Sequence, residues 1–352
     1  MATSQNNPHA FAGSSVANAV GIGQHADDTA QAAIVPYSLG PAMHTRVLAV
    51  PVAALLVLAS PGQAAEEGGS TPDKSAYTLF NPVPDDQLRE LNTDRPGKSH
   101  SAITVDPGRV QIESDFVTYT YDPRGRGATT TRAYSLGTPI VKLGVTDWLD
   151  LELGLALFNS LRQSGGGNST GSGASASAGD GVTGGAQDGP ARARGFGDTL
   201  LGAKVNLFGN DGGDQSLALL PFLKLPTAAR GLGNDHVEFT INAPYTIALS
   251  KPWSLTLEPN FGVVRNADNT RYRENYGFIA NLSRPVLIEG LTAAVEVAVD
   301  VSSERKERTR VSFDPSLQYL VTKNLQLDVG VYLGLNKATP RYVPYLGISY
   351  RF

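Results

Sequence analysis

The 352-residue chain contains no cysteine, and that absence removes a disulfide framework, a thiolate metal site and a cysteine nucleophile together. Histidine is nearly as scarce. Beyond residue 64 only His100 and His236 remain, and two isolated imidazoles make no ligand set of metal-binding spacing. No metal or other cofactor is expected. Basic residues are dispersed and the formal net charge is −4, so the basic stripe that a nucleic-acid surface needs is missing and no nucleic-acid partner is expected. No apolar run reaches the roughly 20 residues of a spanning helix. The glycine-rich stretches do not join a strand to a helix, so they are not phosphate loops.

What is present begins with residues 43–64. One basic residue, Arg46, precedes an apolar run of 13 residues, Val47–Ala59, and then a Pro-Gly break and small residues. This is the pattern of a secretory signal peptide cleaved after Ala64. Met1 and Met43 are the only methionines, and residues 1–42 are polar without apolar periodicity. We read them as an upstream segment, mis-called or disordered, with translation starting at Met43. Secreted protein carrying peptides from residues 1–42 would overturn that reading.

From Gly108 onward the chain divides into alternating stretches joined by turn-forming clusters. Strands are expected at 108–121, 129–143, 147–159, 196–208, 215–226, 236–249, 254–265, 271–283, 291–303, 309–322, 325–335 and 341–352. That makes twelve, an even number. The connections alternate in length: Asp122–Ala128, Ser160–Gly195, Leu225–Asp235, Asn266–Thr270, Glu304–Arg308 and Asn336–Pro340 on one side, and Gly144–Thr146, Gly209–Asp214, Ser250–Trp253, Arg284–Gly290 and Lys323–Asn324 on the other. Outer-membrane barrels have short periplasmic turns and longer extracellular loops, whereas a soluble sandwich gives no reason for the longest loops to share a side. The Gly/Ser-rich loop within 160–195 is too poor in apolar groups to order itself, and disorder outside the cell is expected.

Side-chain chemistry agrees with a barrel. Strand 291–303 sets Leu291, Ala293, Val295, Val297, Val299 and Val301 against Glu296, Asp300 and Ser302, and strand 325–335 sets Leu325, Leu327, Val329, Val331, Leu333 and Leu335 against Gln326, Asp328 and Tyr332. Such faces suit lipid on one side and a polar lumen on the other, and they explain why a mean hydropathy of −0.15 does not exclude a membrane protein. Trp148 and Trp253 fall at the short turns, while Tyr119, Tyr121, Tyr272 and Tyr342 lie toward the other strand ends. Trp and Tyr favour the two membrane interfaces. A faint repeat leads out of the short turns at Thr146, Ser250 and Thr322, as hairpin repetition would produce. The fold expected is all-β: a transmembrane up-and-down antiparallel β-barrel over residues 108–352, in the bacterial outer membrane.

The segment 65–107 is Pro-rich, charged and without alternation. It contains Thr93-Asp94-Arg95-Pro96-Gly97, then Pro107-Gly108 leading into Val110-Gln111-Ile112-Glu113-Ser114-Asp115-Phe116, and further on the chain reads Leu220-Pro221-Phe222-Leu223-Lys224-Leu225-Pro226-Thr227. In these features, across about residues 90–352, the sequence resembles the outer-membrane transporter family associated with the MetA pathway of phenol degradation. The resemblance implies a barrel with a transport role. Asp94 and Arg95 can pair with each other or with lumenal charges, and Pro96-Gly97 fixes a turn. Residues 90–105 are expected to fold back and narrow the periplasmic mouth, the alternative being a solvated linker.

Inward groups expected to line the lumen include Glu113, Asp115, Asp150, Glu152, Lys204, Lys224, Arg273, Arg310, Asp314 and Asp328, with Asp198, Glu238, Glu258, Glu296, Asp300, Arg341 and Arg351 in the same class. Twelve strands enclose a bore only somewhat wider than the eight-stranded kind that side chains fill. Acids and bases facing each other would leave a thin polar path for an unidentified small-molecule permeant, with aromatic compounds a candidate. The competing reading is a structural or surface-adhesive barrel. An outer-membrane lipase needs a His-x-Ser pair on the lipid-facing rim, but His100 is followed directly by Ser101 and no serine lies near His236. Both histidines read as ordinary surface or loop residues, and no catalytic residue is assigned. The last strand ends on Tyr350 and Phe352, with Tyr342, Leu346 and Ile348 on the same face. As in outer-membrane barrels, which this ending resembles, a terminal Phe after alternating aromatics implies a signal for the barrel assembly machinery. Partners expected are that machinery and outer-membrane lipid.

Overall fold

A computed structural model describes residues 73–125, 129–164, 171–172, 186–187, 192–250, 252–266, 269–304 and 307–352. Residues 1–42, the signal segment 43–64 and most of the loop 160–195 lie outside the described residues.

The alternating stretches form a closed antiparallel barrel, with twelve wall strands among the described residues. They are β1 (Val110–Gly125), β2 (Thr129–Leu136 and Ile140–Thr146), β3 (Leu149–Gly154 and Phe158–Ser164), β4 (Arg192–Gly195 and Thr199–Phe208), β5 (Gln215–Leu225), β6 (Glu238–Asn242 and Tyr245–Ala248), β7 (Ser254–Arg265), β8 (Tyr272–Pro285), β9 (Leu291–Ser302), β10 (Arg310–Thr322), β11 (Leu325–Gly334) and β12 (Tyr342–Arg351). Closure is between β1 and β12, from Gln111 opposite Arg351 to Tyr121 opposite Tyr342. Because the sheet closes, no edge strand is left open to lipid. The start of β1 and the end of β12 share one rim with the short turns, such as those at 147–148 and 323–324. That rim is periplasmic.

The pleat decides what each face meets. On β9 the outward Val295, Val297 and Val301 are each 42% exposed, while Glu296 between them is 1% exposed. Outward leucine, valine and phenylalanine on nearly every strand make the outer surface apolar, and lysine, aspartate and glutamate are buried inside. A soluble protein inverts that arrangement. Trp148 and Trp253 are exposed at the periplasmic rim and Tyr272 and Tyr342 toward the opposite one, as the aromatic pattern requires.

The wall departs from the expected strands on one side. The stretches expected at 129–143, 147–159 and 196–208 are interrupted at 137–139, 155–157 and 196–198, and β1 carries a register shift between Asp115 and Val117. These defects share a level, because Ile140 pairs Gly154, Gly154 pairs Leu200, and Leu136 pairs Phe158. Pro139 has no N–H to give the ladder, and irregular bonds carry the wall across: Leu155 N–H to the Pro139 carbonyl at 2.8 Å, Leu157 N–H to Gly137 at 2.9 Å and Gly197 N–H to Ala156 at 2.8 Å. Pro244 likewise interrupts β6.

Two boundaries also move. The turn expected at Gly144–Thr146 lies at 147–148 instead. Gly144 is in β2 because a Cβ there would overlap the Asp106 carbonyl, so that glycine marks a close approach rather than a turn. The loop expected at Ser160–Gly195 is shortened at both ends, since β3 continues to Ser164 and β4 begins at Arg192. The short pair 171–172 and 186–187 lies within it.

Candidate functional site

Residues 73–107 join no wall strand: 73–89 lie at the periplasmic mouth and 90–107 run inside the barrel. A stem holds the mouth. Lys74 Nζ is 2.9 Å from Asp106 Oδ1, and the Arg89 guanidinium donates to both oxygens of Asp211 at 2.7 and 2.9 Å and to the Asp147 carbonyl at 2.9 Å. Arg351, at the end of β12, donates to the Arg89 carbonyl at 2.8 Å. Asp211 belongs to the periplasmic turn between β4 and β5. Burial alone would raise its pKa, but the hydrogen bonds and charges of Arg89 and Lys74 outweigh burial and hold it below the ordinary 3.8. An open groove of about 610 Å³ remains between the stem and this side of the mouth.

Beyond the stem the chain climbs into the lumen and returns. Its tip, Asp94 to His100, has no regular structure, so each buried N–H needs a partner that is not a ladder. Wall carboxylates supply several. Asp94 N–H donates to Glu113 at 2.9 Å, Lys98 and Ser99 N–H to the two oxygens of Glu296 at 2.9 and 3.0 Å, and His100 N–H to Glu258 at 2.6 Å. On the return, Val105 N–H donates to Asp150 at 3.0 Å. The acidic wall thus caps an irregular backbone.

Charged side chains lock the same segment. Asp94 lies between two buried lysines, paired with Lys142 and 2.7 Å from Lys204, while Lys142 also reaches Glu113 at 2.5 Å. Arg95 turns the other way, to Asp115 at 2.6 Å and Asp328 at 2.8 Å, with its guanidinium 5.6 Å over the Tyr345 ring. Gly347 makes room for it, since a Cβ there would overlap that guanidinium. Lys98 pairs with Asp314 at 3.3 Å, hydrogen-bonds Ser312 and sits 4.8 Å over the Tyr332 ring. Tyr332 donates to the carbonyl of Gly97, the left-handed residue after Pro96. Among the described residues, the charged wall groups touching the tip are six carboxylates, Glu113, Asp115, Glu258, Glu296, Asp314 and Asp328, against two lysines, Lys142 and Lys204. Arg95 and Lys98 offset part of that excess.

Asp94 and Arg95, adjacent in sequence, therefore pair with different stretches of the wall, Asp94 with β2 and β4 and Arg95 with β1 and β11, and not with each other. Of the expected lumenal set, the tip brings together Glu113, Asp115, Lys204, Asp314 and Asp328, and Asp150 meets the returning segment at Val105. Glu152 is buried without a hydrogen bond on either oxygen and lies 3.9 Å from Lys204. Lys224 and Arg273 stand apart from the plug: Lys224 is 3.1 Å from Asp198 and 2.6 Å from Asn234, and Arg273 is 3.0 Å from Glu307. Arg310 is half-buried opposite Asp300 in the β9–β10 register, whereas Arg341 is exposed. Tyr350 and Phe352 lie exposed at the periplasmic rim with ring centroids 4.7 Å apart.

His100 corrects the reading of an ordinary surface residue. It is 4% exposed, and its Nδ1 lies 2.9 Å from Glu258. His236 is half-buried in the connection between β5 and β6. Lys142 was missed as a lumenal group, although its place between Val141 and Leu143 carries the same alternation that identified Lys204. Lys98 and Arg89 had no such signal, because their segment has no period.

The structure is similar to the crystal structure of the COG4313 outer membrane channel from Pseudomonas putida F1, at 15% identity and a TM-score of 0.51, over 77% of this chain and 99% of that one. At that identity the likeness is one of fold. It is also similar, with TM-scores of 0.40 and 0.37, to the KdgM porin (10% identity, 69% of this chain and 99% of that one) and the CymD monoaromatic hydrocarbon channel (8%, 69% and 87%). No curated protein sequence matches the chain. The family model described as "Putative MetA-pathway of phenol degradation" matches residues 93–352, from the first residue of the Thr93–Gly97 motif to the terminal Phe352, and the chain belongs to that family.

Proposed function

We propose that the protein is an outer-membrane channel for small molecules, closed in this conformation by its own segment 92–105. The observation that carries this reading is how the plug is held. Its tip is bound largely by exchangeable ion pairs and hydrogen bonds to a polar wall, while its apolar packing is a small patch on the return, Ala102 against Leu200, Ala218, Leu220 and Phe222. A purely structural or adhesive barrel needs no lining of this kind. His100 is buried inside the lumen and not on the lipid-facing rim, which removes support for a lipase. The family's link to phenol degradation makes small aromatic molecules the first permeants to try.

Planar-bilayer conductance of the full chain and of a variant lacking residues 92–105, each with and without aromatic acids and simple sugars, tests the proposal. The full chain should conduct little and the variant much more, with current reduced by a permeant that enters. Equal, negligible conductance in both would favour the structural barrel. We further propose that Tyr350 and Phe352 are read by the barrel assembly machinery. Phe352→Ala should then lower the amount of folded protein in the outer membrane while leaving the unfolding temperature of assembled barrels nearly unchanged; unaltered yield would reduce Phe352 to a rim residue.

A further inference from the structure

Outside the lumen, one group of charges lacks carboxylate partners among the described residues. On the outer face toward the extracellular rim, Arg132 of β2 is directly opposite Arg162 of β3, and Arg162 directly opposite Arg192 of β4. One row nearer the membrane, Arg194 is opposite Ser160, which is opposite Tyr134. All four arginines are exposed. No carboxylate pairs with any of them among the described residues; Arg132 has only the Tyr121 ring, 5.7 Å away.

Like charges directly opposite each other on a sheet face repel. Three guanidinium groups in a lateral row are therefore unfavourable unless an anion lies over them. The rows beneath show where the row sits. Leu136 pairs with Phe158, and both are exposed to lipid with the neighbouring Phe196. Above them come Tyr119 and Tyr134, ring centroids 4.8 Å apart, with Arg194 in the same row, and above those Arg132, Arg162 and Arg192. Apolar belt, tyrosine and then arginine is the order of a membrane interface. The arginines stand at the height of the headgroups, continuous with the lipid-facing surface.

We propose that Arg132, Arg162, Arg192 and Arg194 form a site for the phosphate groups of an outer-leaflet glycolipid. The planar guanidinium forks suit phosphate oxygens. A row on three neighbouring strands, with a fourth arginine beside it, suits a headgroup with more than one phosphate better than a single free ion. The site does not depend on the channel reading.

The test uses the full chain in neutral detergent, with thermal unfolding followed while bis-phosphorylated lipid A, dephosphorylated lipid A or inorganic phosphate is added. Bis-phosphorylated lipid A should raise the midpoint; the other two should not. The triple variant Arg132→Gln, Arg162→Gln, Arg192→Gln should weaken that binding by about a hundredfold. Without lipid it should unfold at a higher temperature than the native protein, because the repulsion is gone. A structural role for the arginines gives the opposite sign. Equal stabilisation by dephosphorylated lipid A, saturation by inorganic phosphate, or a triple variant that binds normally would each overturn the proposal. So would a loss of lipid-free stability in Asp180→Asn, Asp188→Asn, which would make the connecting loop the occupant of the row.

Discussion

Glu296 and Val297 are consecutive residues of β9, yet the two faces they serve are held by different chemistry. Val297 faces lipid, which asks only that a side chain be apolar; any of several residues would serve. Glu296 faces the plug and accepts N–H groups from Lys98 and Ser99 at 2.9 and 3.0 Å, a task of position as well as polarity. The outer face is therefore tolerant in detail and strict in character, and the inner face is the reverse. Changes on the inner face should alter whether the plug is seated while leaving the barrel intact; changes on the outer face should do the opposite.

The largest effect expected on that contrast is from Asp94→Ala. Removing one partner of a buried pair leaves an uncompensated charge, here on Lys142 and Lys204. Lys142 keeps Glu113 at 2.5 Å and Lys204 has Glu152 at 3.9 Å, so the cost to plug seating should sit at the low end, about 3 kcal/mol. That corresponds to a rise of about two orders of magnitude in the unseated population. Open probability in single-channel recordings should rise accordingly, with the barrel's unfolding temperature unchanged. A variant as closed as the native protein would show that Asp94 does not hold the plug.

Val297→Arg is the matching change on the outer face. It places a charge near the middle of the lipid-facing belt, at a cost of about 2–4 kcal/mol to the barrel. Folding titrations in lipid vesicles should show that loss, and open probability should stay at the native level. A variant that instead opened the channel would mean that the two faces are coupled through β9.

The same contrast explains what could be read from the sequence. Lipid-facing strands carry period 2 without interruption, so β7 to β12 lie within about two residues of their expected bounds, and Glu113, Lys204, Asp314 and Asp328 were placed inside by parity alone. The interruptions of β2, β3 and β4 were not legible. Each connects two half-strands that both alternate, and the change of face at Gly137–Pro139 is visible only once the neighbouring strand shows its own break. The plug was legible as a motif but not in its contacts. Asp94 and Arg95 could have paired with each other, and nothing local says that Lys142 on β2 and Asp328 on β11 are placed to take one each. Gly144 was misread because a glycine that admits another backbone has the same letter as a glycine that turns.

The smallest effect lies at the mouth, where the stem meets solvent. Asp211 is partly exposed and bound by Arg89 at 2.7 Å and Lys74 at 3.1 Å, so water screens these pairs more than those of the tip. Its pKa is lowered from 3.8, and a depressed carboxylate stabilises the folded stem fully above its unfolded pKa, losing that contribution as pH falls through the folded value. Protease cleavage in the stem near Arg89 should therefore stay constant between about pH 7 and pH 5 and increase only below about pH 4. Asp211→Asn should show the faster cleavage throughout that range, with plug seating otherwise retained through Asp94 and Arg95. If the variant also opened the channel, the stem and not the buried tip would be the element that keeps the lumen closed.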